Sequence, residues 1–127
     1  MSAEEPRKPI VHLIDDDAAV RHSTELLLHI AGLNVRTYAS AIEFLNDADP
    51  SEMRCLVIDV HMPGINGIEL LDRLRVAGIK APAIFITTFG NTAALLAAAA
   101  RTGGTILLKP FKPGELVKRI NESLNKH

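Results

Sequence analysis

The chain has 127 residues, 47% of them apolar and 4% aromatic, with no Trp and a formal net charge of −1. That length suffices for one domain that buries roughly two-thirds of its unfolded surface without metal or disulfide support. A net charge of −1 and scarce aromatics give no basic stripe or stacking platform for nucleic acid, and the single cysteine, Cys55, excludes an intramolecular disulfide or a cysteine metal cluster.

Residues 1–9 lack the apolar stretch of a signal peptide and read as a flexible segment ahead of one domain over 10–127. No run approaches the ~20 apolar residues of a membrane span, so a cytoplasmic protein is expected. The first apolar run, IVHLI (10–14), ends in Asp15, Asp16 and Asp17, and His12 within it is expected to pack. Asp17 suits the N-cap of a helix whose apolar face is Val20, Leu27, Leu28 and Ala31, with Gly32 as its stop. His22 and His29 on that helix are expected to face solvent. NVRTY (34–38) alternates and suits an edge strand, and Ser40-Ala41-Ile42-Glu43 has the form of a capping box opening a short helix through Leu45.

CLVI (55–58) begins with Cys55, read as an inert buried thiol, and runs straight into Asp59. Ile68, Leu71 and Leu74 mark a third helix ending near Gly78. AIFIT (83–87) ends in Thr87 and Thr88, and Asn91 is expected to cap a fourth helix over the alanine-rich stretch 93–100. TILL (105–108) runs into Lys109, and Pro113 opens a fifth helix striped by Leu116, Ile120 and Leu124. Five apolar runs alternating with five amphipathic segments predict an α/β domain whose right-handed crossovers build a parallel sheet.

In open parallel sheets, ligands bind outside the carboxyl ends of the strands. Four such ends here deliver an acidic cluster, a lone carboxylate, a hydroxyl and an ammonium. Singly, each has a plain reading: Asp17 as a cap, Thr87 as a strand residue, Lys109 as a surface lysine. Together they mean more. Three close carboxylates repel one another, and a hard divalent cation such as Mg²⁺ removes the conflict. Such a site is equipped to receive a phosphoryl group, and a carboxylate is a competent covalent acceptor. Asp59 is then the nucleophile.

From Ile10 to about Leu124 the chain resembles the receiver domain of bacterial two-component response regulators. The motifs that carry the likeness are HLIDDD (12–17), LVIDVHMPGINGIEL (56–70), AIFITT (83–88) and LLKPF (107–111), in order. The opening VHLIDDDAAVR and RTYASAIEFL are similar to FixJ-type receivers. The resemblance implies a flavodoxin-like doubly wound (βα)₅ fold with strand order 2-1-3-4-5 and helices on both faces. It makes Asp59 the phosphoacceptor, Asp16 a direct Mg²⁺ ligand, Asp15 a ligand through water, and the His61 carbonyl a backbone ligand. Thr87 becomes the hydroxyl that follows the phosphoryl group, and Lys109 binds phosphate ahead of a cis bond to Pro110. Gly64 and Gly67 match a loop that needs unusual backbone angles.

The family's aromatic switch position falls at Ile106, where a branched aliphatic must couple by repacking. Thr88 and Phe89 are larger or more apolar than usual and are expected to slow hydrolysis. The implied partners are a sensor histidine kinase and a second copy through the fourth helix, fifth strand and fifth helix. A LuxR-type DNA-binding output domain outside this chain is also implied, with no nucleic acid or membrane bound directly. Both a natural single-domain regulator and a receiver cut from a longer protein fit this pattern. The chain would catalyse only its own phosphoryl acceptance and loss. A dehalogenase-type phosphatase would need a second aspartate where His61 stands, and a nucleotide-binding protein would need a glycine-rich loop after the first strand. A degenerate receiver that acts as a phosphorylation-independent interaction module remains the alternative.

Overall fold

In the computed structural model, which describes residues 9–88 and 92–125, the alternating runs build one parallel sheet. Its strands are β1 (Ile10–Ile14), β2 (Asn34–Tyr38), β3 (Met53–Asp59), β4 (Ala83–Thr87) and β5 (Thr105–Leu108), in the order β2-β1-β3-β4-β5. The crossovers carry α1 (Ala18–Ile30), α2 (Ala41–Asp47), α3 (Gly67–Val76) and α4 (Ala93–Thr102), and α5 (Pro113–Asn125) closes the fold. This is the doubly wound fold and strand order that the resemblance implies.

The strands read as continuous apolar runs because both faces are covered. Val11, Leu13, Val57, Ile84 and Ile86 pack under Leu28 of α1 and Leu116 and Ile120 of α5. Ile14, Leu56, Ile58 and Phe85 pack on the other side with Phe44 of α2, Leu70 and Leu71 of α3, and Leu95 of α4. Period-two alternation sorts each strand's residues between these two cores. Cys55 is fully buried, and burial pushes its thiol up to about 12, which fits the expected inert role. His12 is also fully buried, bonded to the Tyr38 hydroxyl at 2.9 Å.

Several local expectations shift. β3 starts at Met53, two residues early, and extends through Asp59, which pairs with Ile86. The acidic residue is therefore the strand's last member and not the start of a loop. Ala31 is exposed and caps α1, whose buried positions are Thr24 and Leu28. Gly32, at φ +84°, turns the chain away there, as its stop role requires. α2 runs to Asp47, and Leu45 is exposed. The capping box forms, with Ser40 accepting from Glu43 N at 3.0 Å, but the Glu43 carboxylate bonds back to Ala39 N at 2.7 Å. α4 is capped by Thr92, whose hydroxyl accepts from Leu95 N at 3.2 Å. Asn91 and Phe89 lie outside the described residues, as do residues 1–8 of the N-terminal segment. Among the described residues no helix is long and apolar enough to cross a membrane.

Candidate functional site

The sheet order brings the ends of β1, β3, β4 and β5 to one rim. Asp15 follows β1 and is 2% exposed, while Asp59 ends β3 at 8%. Lys109, just after β5, places Nζ 3.7 Å from Asp15 Oδ2 and 4.0 Å from Asp59 Oδ2. Thr87 ends β4 and is buried, and its carbonyl accepts from Lys109 N at 2.7 Å, which fixes the two strand ends together. The bond from Lys109 to Pro110 is cis.

Each carboxylate is held locally. Asp15 Oδ1 accepts from Asp17 N at 3.0 Å, and Asp59 Oδ1 accepts from His61 N at 3.1 Å. Asp17 caps α1 by accepting from Ala19 N at 3.0 Å and Val20 N at 3.1 Å, so it serves the helix. Asp16 is exposed between them. One oxygen from each of Asp15, Asp16 and Asp59 lies within 4.8 Å of the others.

Burial, then the charge of Asp15, push the Asp59 carboxyl up to about 6; Lys109 and the His61 N–H pull it back only in part. The acidic group is therefore under-neutralised by the protein's own cation. A hard divalent ion suits that deficit, and three carboxylate oxygens with room for water are the donor set Mg²⁺ prefers. The residues fit the ion that the sequence implies.

Asp15, Asp16, Asp59, Thr87 and Lys109 thus converge as the sequence suggests. Ile106 packs elsewhere, half-buried against the apolar cluster shared by α2, α3 and α4. Gly64 has the expected positive φ, +76°, but Gly67 does not. Its need for glycine is spatial: a Cβ there would sit 2.5 Å from the Asp59 carbonyl oxygen and 2.9 Å from Val60 Cα.

Two contributors carry no role in the sequence reading. Tyr38 accepts the Asp15 N–H at 3.1 Å through its carbonyl, and Arg21 donates from Nη1 to the Asp15 carbonyl at 2.7 Å. Arg21 stands four residues after the cap, one turn into α1, and that spacing from the DDD run was the available signal. Alongside lies a groove of about 570 Å³ lined by Val20, Leu27, Thr88, Lys109, Pro110 and Phe111.

Known proteins share this arrangement's fold and sequence. FixJ of Azorhizobium caulinodans, a transcriptional regulatory protein, is 37% identical over 121 residues, covering 95% of this chain and 57% of FixJ. TodT of Pseudomonas putida, a response regulator protein, is 33% identical over 118 residues, covering 93% of this chain and 52% of TodT. The solved structure of FixJ-N superposes with a TM-score of 0.80 at 31% identity, covering 96% of this chain and 97% of that one. The chain spans about half the length of the curated relatives it matches. Residues 11–121 match the response regulator receiver domain, and the chain belongs to that family.

Proposed function

We propose that this receiver works as a phosphorylation switch with Asp59 as its acceptor, taking the phosphoryl group from a phosphohistidine on a sensor kinase. The observation that supports it most is the meeting of Asp59, Asp15 and Asp16 with the Lys109 ammonium 4.0 Å from the Asp59 carboxylate. An Asp59 oxygen attacks phosphorus, the phosphorus–nitrogen bond breaks, and its electron pair returns to the imidazole. Asp15, Asp16, Asp59 and the His61 carbonyl would hold Mg²⁺, which when bound neutralises charge on the transferring phosphoryl oxygens. Lys109 supplies a second positive charge, its Nζ within 4.0 Å of both Asp15 and Asp59. The raised proton affinity of Asp59 reflects a carboxylate poorly satisfied on its own, and so receptive to a partner.

Thr87 is the hydroxyl that would follow the phosphoryl group, and its carbonyl accepts from Lys109 N, which couples the ends of β4 and β5. Ile106 pairs with Phe85 across β4 and β5 and packs against the cluster that includes Leu95 of α4. A shift at Thr87 would reach α4 through this contact, biasing an equilibrium between two packings. Leu96 on α4 and Leu108 on β5, 51% and 48% exposed, support a self-association face there. The groove beside Lys109 gives the kinase an apolar seat continuous with the site. A DNA-binding output domain fits the relatives, which are regulators about twice this length.

Wild type and Asp59→Asn treated with a small-molecule phosphodonor and Mg²⁺ should differ by intact mass. Wild type gains one phosphoryl group, and chelation beforehand prevents the gain. Mg²⁺ binding without any gain would point instead to a phosphorylation-independent interaction module.

A further inference from the structure

We infer that Arg21 is a positioning residue for the Mg²⁺ site, acting through the peptide that joins Asp15 to Asp16. The inference rests on the proposed use of those carboxylates as metal ligands. Asp15 is held at every polar atom: its N–H by the Tyr38 carbonyl at 3.1 Å, its Oδ1 by Asp17 N at 3.0 Å, its Oδ2 by Lys109 Nζ at 3.7 Å. The last atom, the carbonyl oxygen, is held by Arg21 Nη1 at 2.7 Å. This is the shortest of the four contacts, and a guanidinium donor makes it charge-assisted.

The bond holds the peptide plane that links the two acidic residues. The Asp15 N–H, which belongs to the preceding peptide, is fixed from the β2 side, and Arg21 fixes the carbonyl of the Asp15–Asp16 peptide from α1. Without it, the Asp15–Asp16 peptide is free to rotate about the Asp15 Cα–C bond, and Asp16 is exposed, with solvent on its outer side. Arg21 is itself anchored, because its N–H donates to the Asp17 carbonyl at 2.8 Å as the first turn of α1 closes. The device is therefore a loop of three residues clamped from behind by the helix it starts.

The sign of the effect separates this role from a bulk charge effect. Arg21 adds a positive charge beside the acidic group, so if it acted only through its field, its removal would tighten cation binding. Positioning predicts the reverse. Partners that orient metal ligands are worth roughly tenfold or more in metal affinity.

The test is Mg²⁺ titration of the metal-free chain by calorimetry, for wild type, Arg21→Met and Arg21→Lys. Arg21→Met should bind Mg²⁺ about tenfold more weakly, and the Mg²⁺ concentration that half-saturates phosphorylation should rise by a similar factor. Arg21→Lys, which keeps a charged donor, should recover most of the affinity. Equal or tighter binding by Arg21→Met overturns the inference, and so does a lysine variant as weak as the methionine one. A wild type that shows no Mg²⁺ binding at all would overturn the metal site as well. Should Arg21→Met not fold, Arg21→Gln takes its place under the same criterion.

Discussion

Arg75 donates from Nε to the carbonyl of Thr102 at 2.9 Å, tying the last turn of α3 to the end of α4. Its Nη1 reaches the carbonyls of Ile79 and Ala81, each at 2.9 Å, so one guanidinium serves three backbone acceptors, two in the α3–β4 connection and one at the end of α4. Burial lowers the Arg75 pKa, a mark of the desolvation those bonds must offset. Nearby, Arg101 meets Asp72 through paired bonds of 3.0 and 2.8 Å, but at the exposed surface. The two arginines join the same helices by different physics.

Arg75→Met should therefore destabilise the fold by about 3 kcal/mol, because three partly buried carbonyls lose their donor at once. Arg101→Ala should cost less, since solvent replaces an exposed pair. Urea unfolding of the two variants decides it. A larger loss in Arg101→Ala would mean that the surface pair, and not the buried clamp, holds α4 to α3.

Gly67→Ala is expected to damage both stability and the site. The new Cβ meets backbone, the Asp59 carbonyl oxygen at 2.5 Å and Val60 Cα at 2.9 Å, which cannot rotate aside. Either α3 moves outward or the end of β3 shifts, at a cost of about 1–3 kcal/mol. Phosphoryl gain per unit of Mg²⁺ should fall alongside. A variant as stable and as readily phosphorylated as wild type would show that the start of α3 is loosely packed.

The fold was legible because five apolar runs and their caps each carry local signals. The site was legible because Asp59 and Thr87 end strands while Asp15, Asp16 and Lys109 directly follow them, and parallel topology brings those ends together. Long-range backbone bonds were not legible. Nothing in the identity of Tyr38 announces that its carbonyl holds Asp15, and Gly67 looks like any turn glycine until the Asp59 carbonyl is placed beside it. The cap of α4 was ambiguous for a different reason: Asn and Thr are adjacent at 91 and 92, both residue types cap well, and only the helix's start at Ala93 makes Thr92 its N-cap.

His12 gives the fold an acid-sensitive joint. A carbonyl only accepts, so Nε2 donates to the Glu52 carbonyl at 3.3 Å and Nδ1 accepts from the Tyr38 hydroxyl at 2.9 Å. Burial lowers the His12 pKa below its ordinary 6.5, with the Glu52 carbonyl opposing. The unfolded chain thus takes up a proton before the folded one does. Stability from neutral His12 is present above pH 6.5 and is lost as pH falls below it toward the folded value. In an Asp59→Asn background, which removes the competing titration, stability should decline as pH falls below 6.5. His12→Phe should flatten that decline, even if its overall stability is lower. An unchanged slope would assign the effect to other groups.

Asp59 should behave oppositely, and its removal should stabilise the metal-free protein. Its carboxyl titrates at about 6 when folded against an ordinary 3.8, so the folded state binds the extra proton between those values. That contribution is fully present below pH 3.8 and is lost as pH rises through about 6, leaving a net penalty at neutral pH. Asp59→Asn removes the charge while keeping the shape. In chelator at pH 7 it should gain about 2 kcal/mol over wild type, after a discount for screening of a shift of this size, and the gain should vanish near pH 4. Added Mg²⁺ should reverse the order, since only wild type keeps all three carboxylates to bind it and binding stabilises the state that binds. Thermal melts in chelator and in Mg²⁺ test both halves. An asparagine variant less stable than wild type in chelator would mean that Lys109 and the His61 N–H already satisfy Asp59, and the physical reason for a poised, metal-seeking acceptor would be gone.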